Sequence, residues 1–210
     1  MKWTFRICCL LLIASCGQQE NAEKKADTNH HGHVLPSGGS SAYVKKINSG
    51  ELKEDTLKGS PKMVAMANVG DAQIHITYNS PGVKNRQIWG GLVPFDQVWV
   101  TGAHSATSIN VNHDFIIGGK TIPAGTYAFF TIPGREKWVV IVNKNYQQHL
   151  TDDYDPSLDL VRVDLVPQAV DFTPRLMYSV TEISPTNGLI SVQWEKVKID
   201  LPVAITSSTK

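Results

Sequence analysis

The residues with the most capacity for chemistry crowd into the middle of the chain. Trp89 and Trp99 sit among small residues, Gly90, Gly91, Thr101, Gly102 and Ser105, with Arg86 just before them and His104 just after. A tryptophan offers a broad apolar face and one donor, and a glycine lets a ligand or another backbone come close. An arginine adds a planar cation that stacks on an indole or pairs with a carboxylate. Together with Tyr78 these residues form a candidate ligand-binding set: Tyr78, Arg86, Trp89, Trp99, Thr101, Gly102, His104 and Ser105. The set suits a small polar, sugar or peptide ligand. The competing explanation is that both tryptophans are core residues whose indole N–H groups bond to backbone. Arg86 would then pair with Asp96 or Asp114 and merely pin its loop.

Catalytic arrangements are harder to assemble. His104 and Ser105 are adjacent, and neighbouring side chains on an extended chain point apart, whereas a base must reach its hydroxyl at about 2.6–3.2 Å. No Gly-x-Ser-x-Gly turn surrounds Ser105. His104 with His113, His75 or His149 has no recognised metal-ligand spacing. Asp153, Asp155, Ser157 and Asp159 alternate like the first half of a calcium loop. Leu158, however, stands where that loop needs its glycine, and Asp155-Pro156 is a good turn former. The sequence therefore reads as a binding or envelope-associated module without catalysis, metal or cofactor. The alternative is a hydrolase or metal-dependent enzyme with its site near His104 and Ser105.

Composition narrows the partners. Lys and Arg number 20 against 19 Asp and Glu, so the basic field of a nucleic-acid binder is absent. All 3 cysteines, Cys8, Cys9 and Cys16, lie near the N-terminus, which leaves no disulfide framework beyond it. Lys2 and Arg6 precede an apolar run, Ile7 to Ile13, too short to span a bilayer, and Ala14-Ser15-Cys16 follow. This pattern resembles a bacterial lipoprotein signal, with residues 1–15 removed and Cys16 lipidated; two acyl chains suffice for stable anchoring. The expected partner is the membrane, and the expected location the bacterial cell envelope, with the outer membrane favoured. Residues 16–59 read as a polar tether. Ser37 to Ser41 is a linker by composition, and residues 42–58 read as coil because Tyr43, Val44, Ile47 and Leu52 make only a thin stripe. His30, His31 and His33 could bind a metal, but a solvated histidine-rich linker explains them as well.

From residue 60 the hydrophobic period is two. Ala72, Ile74, Ile76 and Tyr78 share one face of a strand, and His75 lies on the other. A short strand is expected at Val98–Val100 and another from Ala106 to Val111. A tight hairpin is expected at Gly118-Gly119, and two strands covered on both faces at residues 126–132 and 138–142. Val161, Val163 and Leu165 alternate again, and Thr186-Asn187-Gly188 signals a further hairpin. In the last strand, inward residues are even-numbered at Ile190, Val192 and Trp194 but odd-numbered at Val197, Ile199 and Leu201, which predicts a β-bulge at Glu195-Lys196. The fold class is all-β: an antiparallel β-sandwich or jelly-roll-like domain of about ten short strands over residues 60–205, with a tail at 206–210.

Many ordered segments match a known family. They include residues 78–81, 86–95, 98–103, 106–107, 117–120, 123–127 and 130–133, with Trp138, Asn143, Tyr154, Asp155, Asp159 and Arg162 beyond them. On these the chain resembles the domain of unknown function 2911 family. The resemblance implies a β-rich exported or lipid-anchored protein of Bacteroidetes-type bacteria, and implies no reaction. Typical members carry an arginine where this chain has Val100, and Asn-Glu where it has His104-Ser105. The resemblance therefore implies no role here that rests on that arginine and glutamate.

Overall fold

The computed structural model describes residues 37–206. Cys16, the signal segment, the tether histidines and residues 207–210 lie outside the described residues.

The first element is a helix, α1 (Ser37–Asn48), where the sequence reads as linker and coil. Gly38 and Gly39 are poor helix formers, so propensity does not explain it. Docking does: Val44 and Ile47 are each only 2% exposed. At the helix end, the Asn48 side chain donates to the carbonyl of Arg175 (2.9 Å) and accepts from its N–H (2.9 Å). Isolated helices this short are marginal, and tertiary contacts supply the rest. The following segment, residues 49–59, is held down too, because the Tyr43 hydroxyl accepts from the Thr56 N–H at 2.7 Å.

Ten strands follow: β1 (Lys62–Val69), β2 (Ala72–Asn79), β3 (Ser108–Val111), β4 (Phe115–Ile117), β5 (Lys120–Ile122), β6 (Gly125–Ile132), β7 (Trp138–Asn143), β8 (Asp159–Leu165), β9 (Gln168–Ser184) and β10 (Asn187–Ile205). They form two antiparallel sheets, ordered β1-β2-β3-β6-β7-β8 and β5-β4-β10-β9. The inward residues of both sheets, among them Ile74, Ile76, Ile109, Phe129, Leu176 and Trp194, make the main core. The expected parity switch is present. Glu195 has φ 56°, the β9–β10 register shifts on both sides of it, and Trp194 and Ile199 are both buried.

The strands β6 and β7 lack alternation because a second apolar cluster covers their outer face. Phe130 and Ile141 pack there with Val100 and Ala106. The expected strand at Val98–Val100 is reduced to a single bridge, in which the Trp99 N–H donates to the Thr131 carbonyl at 2.7 Å and the Trp99 carbonyl accepts from the Thr131 N–H at 3.0 Å. The polar loop 144–158 packs against the same layer, fixed by a network around Asp159. Asn143 Nδ2 donates to Asp159 Oδ1 (2.7 Å), and Tyr154 and Arg162 donate to Oδ2 (2.8 Å each). Asp155 caps the single turn at Pro156–Leu158 by accepting from the Ser157 N–H at 2.8 Å. Asp155 and Asp159 thus have separate structural tasks.

Candidate functional site

The eight sequence candidates fall in different places. Trp89 and Trp99 do meet, with ring centroids 5.9 Å apart, inside a cluster completed by Trp138 and Trp194. Edge-on and stacked contacts of this kind add to the apolar burial. Trp99 Nε1 donates to the Gly102 carbonyl at 3.2 Å, while Trp89 Nε1 is buried without a partner among the described residues. Trp89 also lines a shallow concavity of about 220 Å³ with Phe95, Arg135 and Trp138.

Thr101 is a structural pivot. It is fully buried yet has φ 52°, a rare backbone state for a β-branched residue. Its surroundings hold it there. Its hydroxyl lies 3.1 Å from the Trp99 carbonyl and 2.9 Å from Thr131 Oγ1, and its carbonyl accepts from Thr107 Oγ1 (3.1 Å) and Tyr178 Oη (2.8 Å). Gly102 is needed for packing rather than for a ligand, because an added Cβ would stand 2.8 Å from Thr107 Oγ1. Arg86 pairs with neither Asp96 nor Asp114 among the described residues. Its guanidinium donates to the carbonyls of Val83 and Gly82 and closes its own turn.

His104 and Ser105 are exposed, and their side chains make no hydrogen bond to each other among the described residues. Their backbone pairs with the 148–150 segment instead. Ala106 N–H donates to Gln148 O (3.0 Å) and Leu150 N–H to His104 O (2.6 Å), which makes Ser105 and His149 a directly opposed pair of the closer, non-hydrogen-bonded kind. His149 Nδ1 lies 2.9 Å from Asp152 Oδ2, with both side chains more than half exposed.

Tyr78 belongs elsewhere. It lines a groove of about 530 Å³ between α1 and the facing edges of the two sheets. At one end the turns that follow β1 and β9 are in close contact: an added Cβ on Gly70, whose φ is 56°, would overlap the Pro185 carbonyl oxygen at 2.0 Å. Toward Met63 the two edges part, and α1 fills one side of the opening. Of the 4 methionines in the sequence, Met63, Met66 and Met177 all line this groove. Tyr78 and Tyr178 lie at its inner side with ring centroids 4.7 Å apart. Burial raises the pKa of both hydroxyls, that of Tyr178 well above the ordinary tyrosine value. Among the described residues Lys45 is the single charged residue of the lining. No sequence signal marked these residues as a group, because they come from a helix read as coil and from strands distant in the chain.

The fold and groove define a two-sheet antiparallel β-sandwich whose open edge is walled by an N-terminal helix. Within that class, the chain belongs to the family described as Protein of unknown function (DUF2911), which it matches over residues 60–203. The helix that walls the groove precedes the matched region. No curated protein and no solved structure gave a match to the chain.

Proposed function

We propose that the chain is an exported, lipid-anchored binding module that holds a ligand with apolar surface in the edge groove and performs no catalysis. The groove itself carries the reading. At about 530 Å³ it falls in the size range of ligand sites. Its lining is mixed: valines and methionines supply apolar surface, and Ser41, Lys45, Asn48, Ser49 and Ser179 supply polar groups. Methionine side chains adapt to irregular ligands. The commitment of Thr101 and Gly102 to packing supports a site away from residues 99–105. So does Val100, 2% exposed in an apolar cluster where the family resemblance implies an arginine. The anchor rests on Cys16 and the small residues before it.

Two measurements test the reading. The Cys16→Ser chain should leave the membrane fraction and lose radiolabelled palmitate. In that soluble form, N-phenyl-1-naphthylamine should bind saturably with enhanced fluorescence, and Ala65→Trp, which fills the groove, should abolish the enhancement. Unchanged dye binding by a folded Ala65→Trp variant would place the ligand site elsewhere.

A second reading is favoured by one observation, the alignment of Ser105, His149 and Asp152. It makes the chain a hydrolase whose His149, oriented by Asp152, takes the Ser105 proton. Turnover of p-nitrophenyl acetate that disappears in Ser105→Ala would support it; equal rates in both chains would remove it.

A further inference from the structure

The groove is touched by four consecutive residues of each flanking strand, 63–66 of β1 and 177–180 of β9. Successive side chains of a strand point to opposite faces, so no single face can present four in a row. The groove is therefore bounded by strand edges. Both strands end their sheets, so along residues 63–66 and 177–180 each has one edge with no strand beside it among the described residues.

The ladder fixes which backbone groups are free on β1. Ser80 N–H donates to Pro61 O at 2.9 Å, and the register pairs Met63 with Tyr78 and Ala65 with Ile76. Hydrogen-bonded pairs recur every second residue in an antiparallel ladder, so Met63 and Ala65 bond to β2. Val64 and Met66 then turn their N–H and C=O groups to the open edge. Their side chains are also exposed, at 57% and 58%. An edge of unpaired amides flanked by exposed apolar side chains is a template for another strand.

Resting on the reading of the groove as the binding site, we propose that its ligand is the C-terminal end of an extended apolar peptide, added as a strand to the free edge of β1. A lipid or a compact metabolite would leave the Val64 and Met66 amides unused, whereas a peptide backbone pairs with them. Charge complementarity selects the end of the chain. Among the described residues Lys45 is the only charged group lining the groove, and it stands on α1, the element that closes one side. A terminal carboxylate complements that exposed cation on the helix side of the groove, whereas an internal stretch of apolar peptide carries no charge to pair with it.

The test uses the Cys16→Ser chain and fluorescein-labelled Gly-Thr-Val-Thr-Val as free acid, as C-terminal amide and with alternate amides N-methylated. The free acid should bind, the amide about tenfold more weakly, and the N-methylated peptide not measurably. Lys45→Glu should erase the preference for the acid. Val64→Pro should abolish peptide binding without lowering the melting temperature, because its N–H serves no ladder bond. If Val64→Pro fails to fold, amide exchange in the parent chain decides, with slowing at Val64 and Met66 on peptide addition as the supporting result. Equal binding of the N-methylated peptide, or unchanged exchange at those two amides, overturns strand addition. Equal binding of acid and amide overturns the terminal-carboxylate assignment. Dye binding without peptide binding would sink this inference and leave the groove reading standing; loss of both would sink both.

Discussion

Arg175 Nε lies 2.9 Å from Asp55 Oδ2, with the two side chains 0% and 9% exposed. The contact is an ion pair without hydrogen-bond alignment, and the guanidinium also donates to the carbonyls of Ser80 (2.9 Å), Gly59 (3.1 Å) and Leu57. One arginine on β9 therefore gathers the end of β2 and the whole segment that leads in from α1. Removing one member of a buried pair leaves the other charge uncompensated, at about 3–5 kcal/mol. Asp55→Asn should lower unfolding stability toward that range in urea titrations. A loss below about 1 kcal/mol would mean that the three carbonyls suffice to hold the cation.

Alkaline stability should follow the buried tyrosines. Burial raises the pKa of Tyr178 and Tyr78, and burial followed by the Asp159 hydrogen bond raises Tyr154 to about 12. Below pH ~10 these hydroxyls are protonated in both folded and unfolded chains, so their contribution is complete. Above that, only the unfolded chain gives up its protons, and stability falls as pH rises through the folded values; for Tyr154 the window ends near pH 12. The urea midpoint should drop between about pH 10 and 12, and less so in Tyr178→Phe. Native-state titration of all 6 tyrosines at an ordinary pKa, followed by phenolate absorbance, would contradict this.

The strand pattern was readable because side chains alternate with a strict period, and any break in parity has a geometric meaning. The switch between Trp194 and Val197 located the bulge, and the apolar runs of β6 and β7 signalled cover on both faces. The helix α1 was not readable. Its two buried apolar residues make a weak stripe, and its anchor, Asn48 to Arg175, joins residues 127 apart in sequence. The groove was hidden for a related reason: its walls are backbone edges, which carry no residue signature. The rings of Trp89 and Trp99 meet, as residues ten apart in a glycine-rich stretch can, but the Thr101-Gly102 turn inserts into the interior instead of presenting a loop.

The bulge offers a direct test of backbone strain. Glu195 holds φ 56° without being a glycine, helped by its own carboxylate accepting from the Lys196 N–H at 2.7 Å. Left-handed conformations cost roughly 1–2 kcal/mol for residues with a Cβ, and more for β-branched ones. Glu195→Gly should therefore stabilise the fold by up to about 1 kcal/mol, the lost local bond offsetting part of the gain. Glu195→Val should destabilise it by more than about 1 kcal/mol. Equal losses in both variants, read from thermal unfolding, would assign the cost to the missing carboxylate.

The family match starts at residue 60, and a chain cut there keeps every strand. It loses Asp55, the Leu57 and Gly59 carbonyls and the Asn48 clamp, all of which satisfy Arg175. It also uncovers the apolar surface that Val44 and Ile47 bury and removes one wall of the edge groove. A buried arginine stripped of its carboxylate and two of its acceptors is a large penalty on a domain of ordinary stability. A chain beginning at residue 60 should therefore melt at least ~10 °C below one beginning at residue 37, and it should bind the apolar dye weakly. Arg175→Met in the shorter chain should recover part of the difference, since an apolar side chain needs no partner. Equal melting temperatures for the two chains would show that α1 and its following segment rest on a domain already complete without them.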